Sequence, residues 1–113
     1  MQQEALQICE KPAPNAGQKI LSLTGPITLS NLFEFQDTVR ADTSQLLILE
    51  MNGVPYVDSA GIGVMVGAYV SRQRSGRKLA LVGVSDRVRT ILNITQVERF
   101  FQFYGSMADV PST

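Results

Sequence analysis

The chain has 113 residues, of which 44% are hydrophobic and 18% charged, a composition typical of one folded domain. Ten basic and ten acidic side chains cancel, so net charge does not favour binding to nucleic acid or to an anionic membrane. With no histidine and one cysteine, the sequence excludes histidine-dependent triads, internal disulfides and metal sites built on cysteine or histidine clusters. We therefore predict no cofactor and no metal site.

The sequence also argues against a targeting or membrane segment. Residues 1–4 lack the basic start and apolar run of a signal peptide. The most apolar stretch, residues 53–70, contains Pro55, Asp58 and four glycines. A bilayer span needs about 20 largely apolar residues, and a charge near its centre is costly. We predict a cytoplasmic protein without membrane insertion.

Hydrophobic periodicity and turn residues predict strands that alternate with helices. A first strand over residues 4–11 contains Cys9, which we interpret as a small buried hydrophobe in preference to a reactive thiol. A turn over 12–17 leads to a strand over 19–24. The next helix ends near Arg40, and Thr28 or Ser30 is expected to cap it. Its helical spacing is given by Leu29, Leu32, Phe33, Phe35 in part, Gln36 and Val39.

The second half of the chain continues the alternation. Residues 46–49 form an apolar run typical of a strand covered on both faces, and a long helix runs from Asp58 and Ser59 to about residue 76. A buried strand over 78–82, a helix capped at Ser85 or Asp86 and a strand over 100–104 follow. The order β-β-α-β-α-β-α-β predicts a single α/β domain over residues 1–113, with a polar tail over 105–113. We expect a mixed, mostly parallel sheet of four to five strands with helices packed against it.

The junction at Asp58 and Ser59 carries the most functional information. Unpaired backbone N–H groups and the positive end of the helix dipole converge there, which suits an anion, and a serine in the first turn can carry a phosphate. The simpler interpretation is a helix cap. Gly61, Gly63 and Gly67 each cost about 1 kcal/mol relative to alanine in a helix. They therefore indicate close approach to the helix, by the sheet or by a partner.

An enzyme is the competing interpretation of Ser59. The segment lacks a G-x-S-x-G elbow, and no histidine is available to accept the hydroxyl proton. A serine–lysine dyad would need Lys11, Lys19 or Lys78 beside Ser59, and nothing in the sequence places one there. We therefore predict a protein without enzymatic activity.

Basic residues cluster late in the chain, and two interpretations of them remain open. In the first, Arg72 and Arg74 lie at a helix C-terminus, where cations complement the helix dipole, and the others are solvated. In the second, the residues form a rim that steers an acidic partner; we favour the first. The six residues are Arg72, Arg74, Arg77, Lys78, Arg87 and Arg89.

The long helix has two apolar faces. Ile62, Val66 and Tyr69 share one of them, and Val64 and Ala68 lie on another. One face must pack on the sheet. The other is either covered by a neighbouring helix or exposed as an apolar docking patch.

Residues 47–63 with their D-S-x-G motif, together with residues 76–84 and 88–92, resemble the STAS domain of bacterial anti-sigma factor antagonists. The resemblance implies a STAS-like fold and a switch in which Ser59 is phosphorylated by an ATP-binding anti-sigma factor serine kinase. The unphosphorylated form binds that kinase and frees the sigma factor, and a serine phosphatase resets the switch. The implied partner-binding residues are Asp58, Ser59, Ala60, Gly61, Ile62, Gly63 and Val64.

Two positions depart from the pattern of that family. Thr28 stands where many antagonists have an acidic residue or asparagine, and Glu50 stands where aspartate is frequent. The difference at Thr28 supports an alternative, a STAS subunit without a switch in a larger assembly. A lipid-transport ABC system or a signalling scaffold would be such an assembly.

Overall fold

The computed structural model describes residues 5–111. Within that range the predicted order of strands and helices is confirmed, and the predicted start of the first strand at Glu4 lies outside the described residues. The strands and helices are β1 (Gln7–Pro12), β2 (Gln18–Thr24), α1 (Leu32–Ala41), β3 (Leu46–Gly53), α2 (Ser59–Arg74), β4 (Lys78–Val82), α3 (Asp86–Ile94) and β5 (Gln102–Tyr104). Short 3-10 turns cover Glu98–Phe100 and Met107–Asp109.

The strands form one sheet in the order β1-β2-β3-β4-β5. β1 pairs with β2 antiparallel, and each later pair is parallel, which confirms the predicted mixed and mostly parallel sheet. Because β2 and β3 are parallel neighbours, the loops that follow them leave from the same edge of the sheet. Those loops, residues 25–31 and 54–58, lead into α1 and α2.

The helices described within residues 5–111 all pack on one face of the sheet. Alternate residues of the central strands, such as Leu21, Leu49 and Leu81, join a core cluster with Phe35 of α1 and Met65 of α2. Each of these five side chains is fully buried. The helical layer therefore places the amino ends of α1 and α2 side by side at one edge of the sheet.

The opposite face of the sheet is covered by the end of the chain. Ile48, Ala80 and Val82 are buried there, and Met107 and Val110 pack against them. The predicted burial of β3 and β4 on both faces is confirmed. Residues 105–111 cover part of this second face of the sheet, a role that their polar composition did not indicate.

Two local predictions are wrong. Cys9 is exposed, because strand alternation turns Ile8 towards the helices and places Cys9 opposite Ser22 on the other face, at the edge strand. Asn31, and not Thr28 or Ser30, is the residue that precedes α1. The Asn31 side chain accepts a hydrogen bond from the Thr28 amide at 3.0 Å, which tightens the loop before the helix.

A buried ion pair between Asp42 and Arg72 joins the C-terminal ends of α1 and α2 to the sheet. The Arg72 guanidinium donates to Asp42 Oδ2 at 3.0 Å, to the Ser44 carbonyl at 2.6 Å and to the Lys78 carbonyl at 2.9 Å. Both charged residues are buried, and although Arg72 lies in the last turn of α2 as predicted, its charge is paired with Asp42 and not with the helix dipole alone. Burial acts to raise the pKa of Asp42, but hydrogen bonding from Ser44 and the Arg72 charge outweigh it and hold that pKa below its ordinary value.

We expect Arg72→Met to lower the free energy of unfolding by about 3–5 kcal/mol, because it leaves the Asp42 charge buried without its main partner. Arg74→Met on the exposed side of the same helix is the matched control, with a change within about 0.5 kcal/mol. Urea denaturation at neutral pH measures both. Equal stabilities of the two variants would contradict the role given to the ion pair.

The same pair predicts a dependence on pH. Because folding lowers the pKa of Asp42, its contribution is complete above the unfolded value of 3.8 and is lost as the pH falls through the lower folded value. The stability difference between the wild type and Asp42→Asn should therefore narrow below pH 3.8. Thermal unfolding across a pH series measures this. A stability difference between the wild type and Asp42→Asn that stays constant with pH would contradict the lowered pKa of Asp42.

Candidate partner-binding site

Asp58 organises the junction between the loops and the helix. It precedes α2 as its N-cap, and its Oδ1 accepts a hydrogen bond from the Gly61 amide at 2.9 Å. Its Oδ2 accepts a second one from the Leu29 amide at 3.0 Å, from the neighbouring loop. The predicted cap is therefore confirmed for Asp58, and the same carboxylate also ties residues 25–31 to the start of α2.

Backbone hydrogen bonds strengthen the link between the two loops. The Ile27 amide donates to the Tyr56 carbonyl at 3.0 Å, and the Asp58 amide donates to the Ile27 carbonyl at 3.1 Å. Ile27 and Val57 form an isolated parallel bridge, and both side chains are buried. The surface next to Asp58 is thus held by backbone pairing.

Ser59 is the first residue of α2, and it is exposed. Within residues 5–111 its hydroxyl makes no hydrogen bond, since Asp58 is the side chain that caps the helix. The first amides of a helix have no carbonyl partner inside it, and the dipole there favours negative charge. A free hydroxyl at this position is therefore open to a modifying enzyme and compatible with a phosphate.

The glycines of α2 divide into two groups. A Cβ on Gly61 would lie 2.5 Å from the Ile27 carbonyl oxygen and 2.8 Å from Val57, so Gly61 permits close packing on the loop. A Cβ on Gly63 or Gly67 would meet nothing within 4 Å. Internal packing therefore explains the first glycine and leaves the other two without a role inside the fold.

The seven residues predicted to bind a partner differ in accessibility. Ser59 and Gly63 are exposed, and Ala60 and Val64 are half-buried. Asp58 is also half-buried, while Gly61 is buried against the loop and Ile62 is buried in the core. Direct contact with a partner is thus open to the exposed and half-buried members, and the two buried residues support the surface from beneath.

Two of the apolar residues that gave the first helix its predicted spacing are exposed. Leu29 is 64% exposed and Phe33 is 63% exposed. Leu29 precedes α1, and Phe33 is next to buried Leu32, so one helix cannot turn both of these neighbours inward. That adjacency was the signal in the sequence, and it marks Phe33 as a surface residue.

The late basic residues do not act as one group. Arg89 pairs with Glu98 at 3.0 Å and its guanidinium lies 3.6 Å from the ring centroid of Phe103. Arg87 lies over the Tyr56 ring at 5.1 Å, next to the loop that leads to Asp58. With Arg72 buried, the predicted rim is reduced to separate positions around the fold.

Two kinds of feature are absent from residues 5–111. No three histidine, cysteine, aspartate or glutamate side chains come together there in a way that would hold a metal ion. No helix in the same range is long and apolar enough to cross a membrane.

Alanine substitutions of the three glycines of α2 test whether only Gly61 is required for packing inside the fold. Gly61→Ala should destabilise the protein because of the close contact with the Ile27 carbonyl, whereas Gly63→Ala and Gly67→Ala should each stabilise it by up to about 1 kcal/mol through helix propensity. Thermal denaturation of the three variants gives the answer. Destabilisation by Gly67→Ala would show that the helix surface there is not open.

Known proteins with similar sequences and folds identify the family. The family model of the STAS domain matches residues 11–110. An anti-sigma-B factor antagonist from Staphylococcus aureus is 31% identical over 68 residues, which cover 60% of this chain and 63% of the relative. The match therefore spans less than two thirds of that relative.

Solved structures give the same fold in two settings. A candidate anti-sigma factor antagonist from Thermotoga maritima has a TM-score of 0.82 at 23% identity, with 90% of this chain and 89% of that chain covered. A murine anion transporter of solute carrier family 26 has a TM-score of 0.74 at 26% identity, and the match covers 83% of this chain but 17% of the transporter. The predicted fold class is confirmed, and with the family model matched over nearly its whole length, this chain belongs to the STAS domain family.

Proposed function

We propose that this protein is an anti-sigma factor antagonist that is switched by phosphorylation of Ser59. In the unphosphorylated form it binds an anti-sigma factor that is also an ATP-dependent serine kinase, so that a sigma factor is released. Phosphorylation ends the binding, and a serine phosphatase restores it. The observation that carries the proposal is the exposed Ser59 hydroxyl at the start of α2, free of hydrogen bonds within residues 5–111.

The surroundings of Ser59 suit a phosphate acceptor. Asp58 already supplies the cap through Gly61, so modification of Ser59 removes no hydrogen bond that the helix needs. The neighbouring residue is Ala60, which offers no competing hydroxyl. The helix dipole partly balances the new charge in the free protein, so the phosphorylated form remains folded.

The effect on binding follows from charge and shape. A phosphate adds about −1.5 to −2 charges at neutral pH, and here it would lie next to the Asp58 carboxylate. In a contact from which water is excluded, these like charges and the extra volume oppose close approach. A penalty of about 2–3 kcal/mol would weaken binding by about 30- to 150-fold.

The names of the relatives support the general function. The Staphylococcus aureus relative is described as an anti-sigma-B factor antagonist, which supports a role in transcription regulation by protein contact, and we propose that this role is exercised in the cytoplasm. We assign it no catalytic activity and no direct binding to nucleic acid. Its influence on transcription would pass through the anti-sigma factor.

A second candidate function rests on the anion transporter. There the same fold is a small part of a much longer chain. In this alternative, the protein is a subunit or module of a larger assembly, and Ser59 is only a surface residue. Such a protein would remain bound to its assembly whatever the state of Ser59.

Binding measurements on Ser59 variants test the proposal. Against the purified anti-sigma factor of the same organism, Ser59→Ala should bind as the wild type does, and Ser59→Asp should bind about 30-fold or more weakly. Isothermal titration calorimetry gives the affinities, and incubation with ATP should add one phosphate to the wild type and none to Ser59→Ala.

A matched control separates the site from a general charge effect. Thr90→Asp makes the same kind of change at an exposed position of α3 and should leave the affinity unchanged. Equal affinities of Ser59→Ala and Ser59→Asp would exclude the switch. Retention of a transport complex by both variants would favour the second candidate.

A further inference from the structure

A groove of about 330 Å³ runs between α1 and α2. Gln36 and Arg40 of α1 line one wall, and α2 contributes the other from Ala60 to Ser71. At a rise of about 1.5 Å per residue, this stretch of α2 extends the groove about 16 Å from the Ser59 end of the helix. The groove therefore connects the proposed phosphorylation site with the far end of both helices.

The wall formed by α2 is open where the sequence could have filled it. Gly63 and Gly67 line the groove, and a Cβ on either would contact nothing within 4 Å. Alanine at either position would fit and would favour the helix by about 1 kcal/mol. An external occupant accounts for the glycines where the fold itself does not, because they let its backbone come close to α2.

The far end of the groove is positively charged. Arg40 and Arg77 line it, and neither forms an ion pair with any residue of the described range 5–111. The buried Arg72 is already neutralised by Asp42. Burial lowers the pKa of Arg72, the charge and hydrogen bond of Asp42 oppose that change, and the charge of Arg77 adds to the lowering, so Arg77 lies close enough to act on this pair.

The acidic residues nearby do not cancel this charge. Asp37 and Asp42 line a separate cleft on the other flank of α1, together with Lys19. Asp42 also reaches the groove, but its carboxylate is engaged with Arg72 and Ser44. The two arginines therefore remain available to an anionic group.

The opposite end of the groove is apolar and exposed. Phe33 lies three residues before Gln36 and seven before Arg40, so the three residues share one stripe of α1. Phe33 is 63% exposed and lies at the N-terminal end of that stripe. The groove thus offers apolar contact at its Ser59 end and positive charge about three helical turns away.

We infer that the α1–α2 groove binds an acidic peptide segment of the anti-sigma factor, with its carboxylates at Arg40 and Arg77 and its apolar end near Phe33. The inference rests on the proposed function and specifies how the partner is held. A segment about 16 Å long corresponds to about five residues in extended form. The bound segment would position the kinase at Ser59, and its own contacts with the protein would lie away from the phosphate.

Filling the groove is the sharpest test. Gly67→Leu should weaken binding to the purified anti-sigma factor at least about tenfold, while thermal denaturation shows stability equal to or above that of the wild type. Val70→Phe also adds apolar bulk on α2, at an exposed position outside the groove, and should bind normally. Calorimetry provides the affinities.

Charge reversal tests the far end independently. Arg77→Glu should weaken binding at least about tenfold and reduce its dependence on salt, whereas Arg74→Glu, outside the groove, should have little effect. If both groove variants bind as the wild type does while Ser59→Asp does not, the groove inference is overturned and the proposed function stands. If the wild type does not bind the anti-sigma factor, the proposed function fails and the inference with it.

Discussion

The carboxylate of Asp58 fixes the part of the molecule on which a partner would act. One oxygen holds the first turn of α2 through Gly61, and the other holds the loop before α1 through Leu29. Parallel pairing of β2 and β3 brings those two segments to the same edge of the sheet, and the carboxylate then joins them. Because Asp58 supplies the cap, the helix does not depend on a hydrogen bond from the neighbouring Ser59.

The structure separates stability from recognition along α2. Residues on its inner side, including Ile62, Met65 and Arg72, serve the core and the buried ion pair. Ser59, Gly63 and Gly67 lie on the outer side and contribute little to packing. A protein that must both fold and change partners benefits from this division, since changes on the outer side leave the core intact.

Sequence patterns predicted the fold well because the strands and helices here are strongly apolar and bounded by clear turn residues. The strand over 78–82 and the cap at Ser85 were found at the residues that the structure shows. The errors have a common origin in tertiary context. Cys9 and Phe33 are apolar enough for a core, but the edge of the sheet and the rotation of α1 leave them exposed.

The candidate site was only partly visible in the sequence. Spacing identified Asp58 and Ser59, because a cap and an N-terminal hydroxyl have local signatures. It could not show which glycines face the loop and which face solvent, nor that Arg40 and Arg77 line the same groove. Those facts depend on how α1 lies beside α2, which no local pattern specifies.

The path of residues 105–111 determines where the chain can be joined to something else. After β5 these residues pass beneath the sheet to β2, where the Pro111 carbonyl accepts a hydrogen bond from the Gln18 side chain at 3.0 Å. Gln18 begins β2, whereas the loops beside Ser59 follow the ends of β2 and β3, about 20 Å away along the strands. A label, tether or additional module attached after this segment would therefore start from the end of the sheet opposite Ser59. Immobilising the protein through such a tether would leave the surface around Ser59 accessible to a partner in solution.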